Sequence, residues 1–79
     1  MVYHLHFLCS ECGIVYPTDI NKEFPDANLV DKSLAEVTTE DRVGSNVKAL
    51  LERTDLRCWK GHLATGLTLR DLILRRPGE

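Results

Sequence analysis

Residues 2–8, Val-Tyr-His-Leu-His-Phe-Leu, alternate in part between apolar and polar positions and are rich in β-formers. They predict a strand running into the first cysteine pair. Cys9-Ser10-Glu11-Cys12-Gly13 reads as a tight turn, and Ile14-Val15-Tyr16 as the antiparallel return. That return is expected to stop at Pro17, because proline offers no amide hydrogen to a neighbouring strand. From Thr18 to about Val37 the apolar positions are scattered among Pro25 and several Asp and Asn residues. This predicts an irregular connection at about 18–38, pinned to the core at Leu29, Val30 and Leu34, with room for a short helical turn around residues 31–36.

A helical period sets in at Thr39. Thr39 can cap, Glu40 and Asp41 suit a helix N-terminus, and Val43, Val47, Leu50 and Leu51 form one apolar stripe. Gly44 weakens the start of that helix by about 1 kcal/mol relative to Ala. Leu56-Arg57-Cys58 then predicts a strand into a second turn, Cys58-Trp59-Lys60-Gly61-His62, and Leu63-Ala64-Thr65 a strand out of it. Thr68 and Asp71 resemble a capping box, after which Leu69, Leu72, Ile73 and Leu74 support a short C-terminal helix ending before Pro77-Gly78. A strand through Leu67 and Leu69 is the competing reading. The expected class is α+β: small β-hairpins, one central helix and a short C-terminal helix.

With 79 residues the chain fits a single domain, 1–79, too small to bury a large share of its surface, so a staple is expected. Hydrophobic residues at 43% and charged residues at 28% rule out a wholly disordered segment. No apolar run approaches the roughly 18 residues a membrane-spanning helix needs, and Met1–His6 lacks the basic start of a secretory signal. A cytoplasmic protein without a membrane partner is the expectation. Met1 is what a complete small gene product or a trimmed domain would equally show.

The net charge of −2 withholds the strongly basic footprint of generic phosphate-backbone binding. Its distribution is uneven, with a balance of −5 over residues 19–41 and +4 over residues 42–79. Such runs are either solvated faces or a basic surface for nucleic acid or an acidic protein.

The chemistry lies in the two turns: Cys-x2-Cys, forty-five intervening residues, then Cys-x3-His. Zinc takes four tetrahedral ligands from thiolate sulfur and imidazole nitrogen, and Cys3His is one of its usual structural sets. Cys9, Cys12, Cys58 and His62 are therefore the candidate ligands of one Zn2+, joining the two ends of the chain. Gly13 and Gly61 stand where positive backbone dihedrals and amides turned toward sulfur are needed. A redox role for Cys-x2-Cys would want a strand-to-helix context, and a disulfide framework an even cysteine count. Three unrelated buried thiols are the plain alternative. His4 and His6, on one face of the first strand, are rivals to His62 for the fourth position.

On Cys9, Cys12 and Gly13, then Cys58, Gly61 and His62, the chain resembles the zinc-ribbon superfamily, in which two hairpin turns carry the ligands in separated pairs. The resemblance covers the two ends, and Gly61 stands where the common pattern has a fourth cysteine. It implies a structural zinc and a setting such as transcription or translation machinery. No Gly-rich phosphate loop, His-Glu-x-x-His helix or nucleophile elbow is present, so an enzyme is not expected.

Two functions suit these features. One is a protein-interaction module, a regulatory or accessory factor on a larger assembly such as RNA polymerase, of the inhibitor kind phages encode. The other is nucleic-acid binding through the basic C-terminal half. The candidate partner-binding residues are Trp59, Lys60, Arg57, Arg70, Arg75 and Arg76. Trp59 reads equally as a partner anchor or as a cover over the metal turn. The oligomeric state is left open.

Overall fold

The computed structural model describes residues 1–78. Strands β1 (Val2–Cys9) and β2 (Ile14–Glu23) form an antiparallel hairpin, and β3 (Leu72–Arg75) pairs antiparallel with the other side of β1. The resulting order is β2-β1-β3, with helices α1 (Leu34–Val37) and α2 (Ser45–Glu52) in the long connection. The α+β class expected from the sequence is the one adopted.

Side chains alternate across a strand, so Tyr3, Leu5, Phe7 and Cys9 all leave β1 on one face, and all four are buried. Tyr16, Leu72 and Leu74 extend that layer from the neighbouring strands, and Leu34, Val43, Val47 and Leu50 join it in one core. Leu74 has no exposed surface. Leu74→Ala is expected to cost about 2–5 kcal/mol in chemical denaturation, the usual range for a large-to-small change in a core that only partly collapses.

The acidic connection is tied down by its backbone. The buried Tyr3 hydroxyl donates to the Asp26 carbonyl at 2.6 Å and accepts the Leu29 amide at 3.3 Å. Along the outer edge of β3, the Asp31 amide donates to the Leu74 carbonyl and the Leu74 amide to the Lys32 carbonyl. This edge is thereby covered.

The boundaries differ from the sequence pattern in four places, each for a local reason. β2 runs through Pro17 to Glu23, taking the first third of the supposed irregular connection. It lies at the edge of the sheet, where one hydrogen-bonding side faces no strand and proline is tolerated. A register shift between His4 and His6 accommodates the extra length, and Thr18 Oγ donates to the Leu5 carbonyl there. The central helix starts at Ser45 rather than Thr39, because Gly44 takes a φ of +87°, which no helical residue adopts.

At the C-terminal side the capping pair forms as expected, the Thr68 amide donating to Asp71 at 2.9 Å. It opens only a 3-10 turn at Leu69–Asp71, and the expected short helix is replaced by β3. Leu72 and Leu74 alternate into the core, and a two-residue period cannot serve a helix face. The second pair of strands is reduced to one bridge, Arg57 opposite Leu63, closed by hydrogen bonds from Cys58 to His62 and from Ala64 to Leu56.

A candidate metal centre where two remote turns meet

The β1–β2 turn is closed by the Gly13 amide on the Cys9 carbonyl at 2.8 Å, and the second turn by the Gly61 amide on the Cys58 carbonyl at 2.9 Å. Both glycines take positive φ, +70° and +89°, so a side chain there would strain either turn. Their amides close the turns on carbonyl oxygens rather than facing sulfur. An amide that does face sulfur belongs to Lys60, donating to Cys58 Sγ at 3.3 Å.

Folding the chain brings the two turns into contact. Cys9, Cys12, Cys58 and His62 each present one ligand atom, all within 4.8 Å of one another, and together they could hold a metal ion. His62 Nδ1 lies 3.0 Å from Cys12 Sγ, 3.3 Å from Cys58 Sγ and 3.9 Å from Cys9 Sγ. The Cys12 and Cys58 sulfurs are 3.7 Å apart, well beyond the roughly 2.05 Å of a disulfide. All three cysteines are free. Cys9 and Cys58 are buried, while Cys12 and His62 are partly exposed.

The site differentiates its thiols. Burial pushes the Cys58 thiol up, but hydrogen bonds from the His62 and Lys60 amides, with the neighbouring Cys12 and Cys9 thiols, outweigh it and bring the group down to about 6. Burial holds Cys12 above the ordinary thiol value, opposed by the Tyr16 hydroxyl and reinforced by Cys58 and Cys9. Cys58 is the sulfur readiest to offer a thiolate, the form in which cysteine binds metals.

Tyr16 is the part of the site that the sequence pattern did not single out. Its hydrogen bond to the Cys12 sulfur, helped by burial and by the three nearby thiolates, pushes its own ionisation up to about 12. The hydroxyl therefore stays protonated beside the thiols. The signal was its place four residues after Cys12, on the β2 face that also carries Ile14 and pairs with Phe7. Tyr16→Phe keeps the ring and removes the donor, and is expected to weaken metal binding on the order of tenfold in competition with a chromophoric chelator.

His4 and His6 take no part in the cluster. Their rings meet edge to face at 4.9 Å on the sheet surface opposite Cys9. Of the remaining candidates, Trp59 is 81% exposed and does not enclose the cluster, although its ring rests against Tyr16 at 5.3 Å. Arg57, Lys60, Arg70 and Arg76 are exposed, and Arg57 Nη1 donates to the Gly61 carbonyl at 2.8 Å. Arg75 pairs with Asp31 at 3.2 Å, and Arg53 with Asp55 at 3.0 Å and Asp19 at 3.4 Å. Asp19 and Asp31 belong to the acidic run, so part of the charge asymmetry along the chain cancels in space.

Among the described residues no helix is long and apolar enough to cross a membrane. No family model, curated protein or solved structure matches the chain.

Proposed function

We propose that this chain is a small zinc-stabilised protein-interaction module, in which Cys9, Cys12, Cys58 and His62 hold one structural Zn2+ and the domain so closed serves a larger assembly as a regulatory or accessory factor. The observation that carries the reading is the convergence of four ligand atoms, from turns forty-five residues apart, within 4.8 Å. Zinc sits roughly 2.3 Å from thiolate sulfur and about 2.0–2.1 Å from imidazole nitrogen, so a tetrahedron has edges of about 3.8 Å between sulfurs and about 3.6 Å from sulfur to nitrogen. The 3.7 Å between Cys12 and Cys58 matches its edge, the 3.0–3.9 Å from sulfur to His62 bracket theirs, and no pair exceeds 4.8 Å. Thiolate and imidazole donors with no carboxylate favour zinc over calcium or magnesium.

Four protein ligands leave no corner for water or substrate, which suits a structural ion rather than a catalytic one. With the metal enclosed, function falls to the surface. Trp59 and the cations beside it have the composition of an interface anchor. The likeness of the two turns to zinc ribbons adds transcription machinery as a setting. Binding along a nucleic-acid backbone is the weaker reading, because Arg53 and Arg75 are already engaged with acids.

Elemental analysis of purified, folded chain is expected to find one zinc per molecule, and metal-free folded protein would end the proposal. His62→Ala should weaken zinc binding well beyond the roughly tenfold to hundredfold of an outer-shell change, while His4→Ala and His6→Ala leave it near the parent value. The reverse order would reassign the fourth ligand.

A further inference from the structure

The most exposed large apolar side chain of the fold is its only tryptophan, placed directly after a cluster ligand. A free surface indole would ordinarily sample several rotamers. Trp59 instead rests against Tyr16 in an edge-to-face contact, with ring centroids 5.3 Å apart and planes at 64°. Tyr16 is itself buried and packs against the Phe7 ring 5.9 Å away. The indole thus has one edge packed against a buried ring while most of its surface stays open for burial against something else.

Its surroundings specify what that something is. Ile14 leaves β2 on the same face as Tyr16 and is 48% exposed, and Leu63, following His62, is 43% exposed. Exposed aliphatic groups on the same pair of turns as an exposed indole suit an apolar protein surface, whereas a nucleobase would seek further flat or cationic partners. Leu56 to Arg70 contains no Asp or Glu, and Arg57 and Lys60 stand exposed on either side of Trp59. Glu11 is the one carboxylate on either ligand turn.

We infer that the second ligand turn is a docking surface for an acidic amphipathic segment of another protein, Trp59 with the exposed Ile14 and Leu63 of the two turns covering its apolar side while Arg57 and Lys60 meet its carboxylates. The inference rests on the interaction-module reading and deepens it by naming the surface and the chemistry of the partner. Aromatic anchors with cations around them carry much of the energy of such contacts, and complementary charge sets their selectivity.

The test uses the full zinc-loaded chain and the fluorescence of its single tryptophan. Three probes are titrated: a synthetic peptide with Leu and Phe at helical spacing and Asp or Glu elsewhere, the same peptide with Lys and Arg replacing the acids, and single-stranded oligothymidylate. The acidic peptide is expected to shift and saturate the emission, and the basic peptide to bind weaker by on the order of tenfold or more. Trp59→Ala, followed by calorimetry, and the double variant Arg57→Glu with Lys60→Glu should each lose on the order of tenfold or more in affinity for the acidic peptide. Their amide spectra should stay dispersed.

An acidic peptide that leaves the emission unmoved overturns the inference. So does equal binding of the basic peptide, or preferential binding of oligothymidylate with a steep loss on adding salt. Affinity capture from the native extract separates the two levels of the argument. If the parent chain and Trp59→Ala retain the same protein equally, the interaction reading stands and this surface is wrong. If neither retains any protein and no peptide binds, both fall.

Discussion

Adding a strong chelator to the folded chain is expected to collapse its dispersed amide spectrum and abolish its cooperative thermal transition. Structural zinc in small domains supplies on the order of 10 kcal/mol at neutral pH, while a globular chain of this length has a net stability of roughly 4–12 kcal/mol. Loss of the ion therefore removes an amount comparable to the whole. The second turn is especially dependent on it, since Arg57 and Leu63 form a single isolated bridge and neither belongs to the three-stranded sheet. Restoring zinc should restore the spectrum. Unchanged dispersion in verified metal-free protein would mean that the hydrophobic core alone holds the fold and that the four side chains converge for another reason.

Cys58→Ser is expected to be as damaging as Cys9→Ser, although the two residues lie in different turns and only Cys9 belongs to the sheet. If one ion is shared, each thiolate is one of four corners, and a serine hydroxyl in either place is a poor zinc ligand. If Cys58 were merely a small buried apolar residue, its replacement would cost on the order of 1–3 kcal/mol for an imperfectly satisfied hydroxyl and leave zinc binding to the other turn unchanged. Bound-metal content and denaturation midpoints measured on both variants distinguish the cases: parallel loss supports the shared site, and loss confined to Cys9→Ser refutes it.

The convergence of the four candidate ligands was legible because metal chemistry is written in residue types and short spacings, and the intervening chain need not be understood for two turns to be paired. The rival status of His4 and His6 could have been removed by the same strand logic that predicted β1. Cys9 and its core-facing companions occupy odd positions, and both histidines occupy even ones. The course of the chain between the turns was less legible. Pro17 looked like an end because its compatibility with an edge depends on which strands pair, which is a tertiary fact. Leu69, Leu72, Ile73 and Leu74 fit a helix or a strand until the open side of β1 supplied a partner. Tyr16 was read as a strand former because its contact with Cys12 needs the hairpin to return first.

The central position of β1 has a consequence for the order in which the molecule assembles. Its residues leave the ribosome before those of both partners, and β2 follows at once as a local hairpin, but positions 4–7 find their second partner only at residues 72–75. Until then the nascent chain carries an unpaired strand edge with one apolar face, the kind of surface that aggregates or recruits chaperones. The 58–62 turn emerges before β3, so under the proposed zinc site metal capture would anchor the late half beside the waiting hairpin and shorten the search for the final pairing. Scarcity of zinc during translation would then lower the yield of folded chains even if the ion were supplied afterwards.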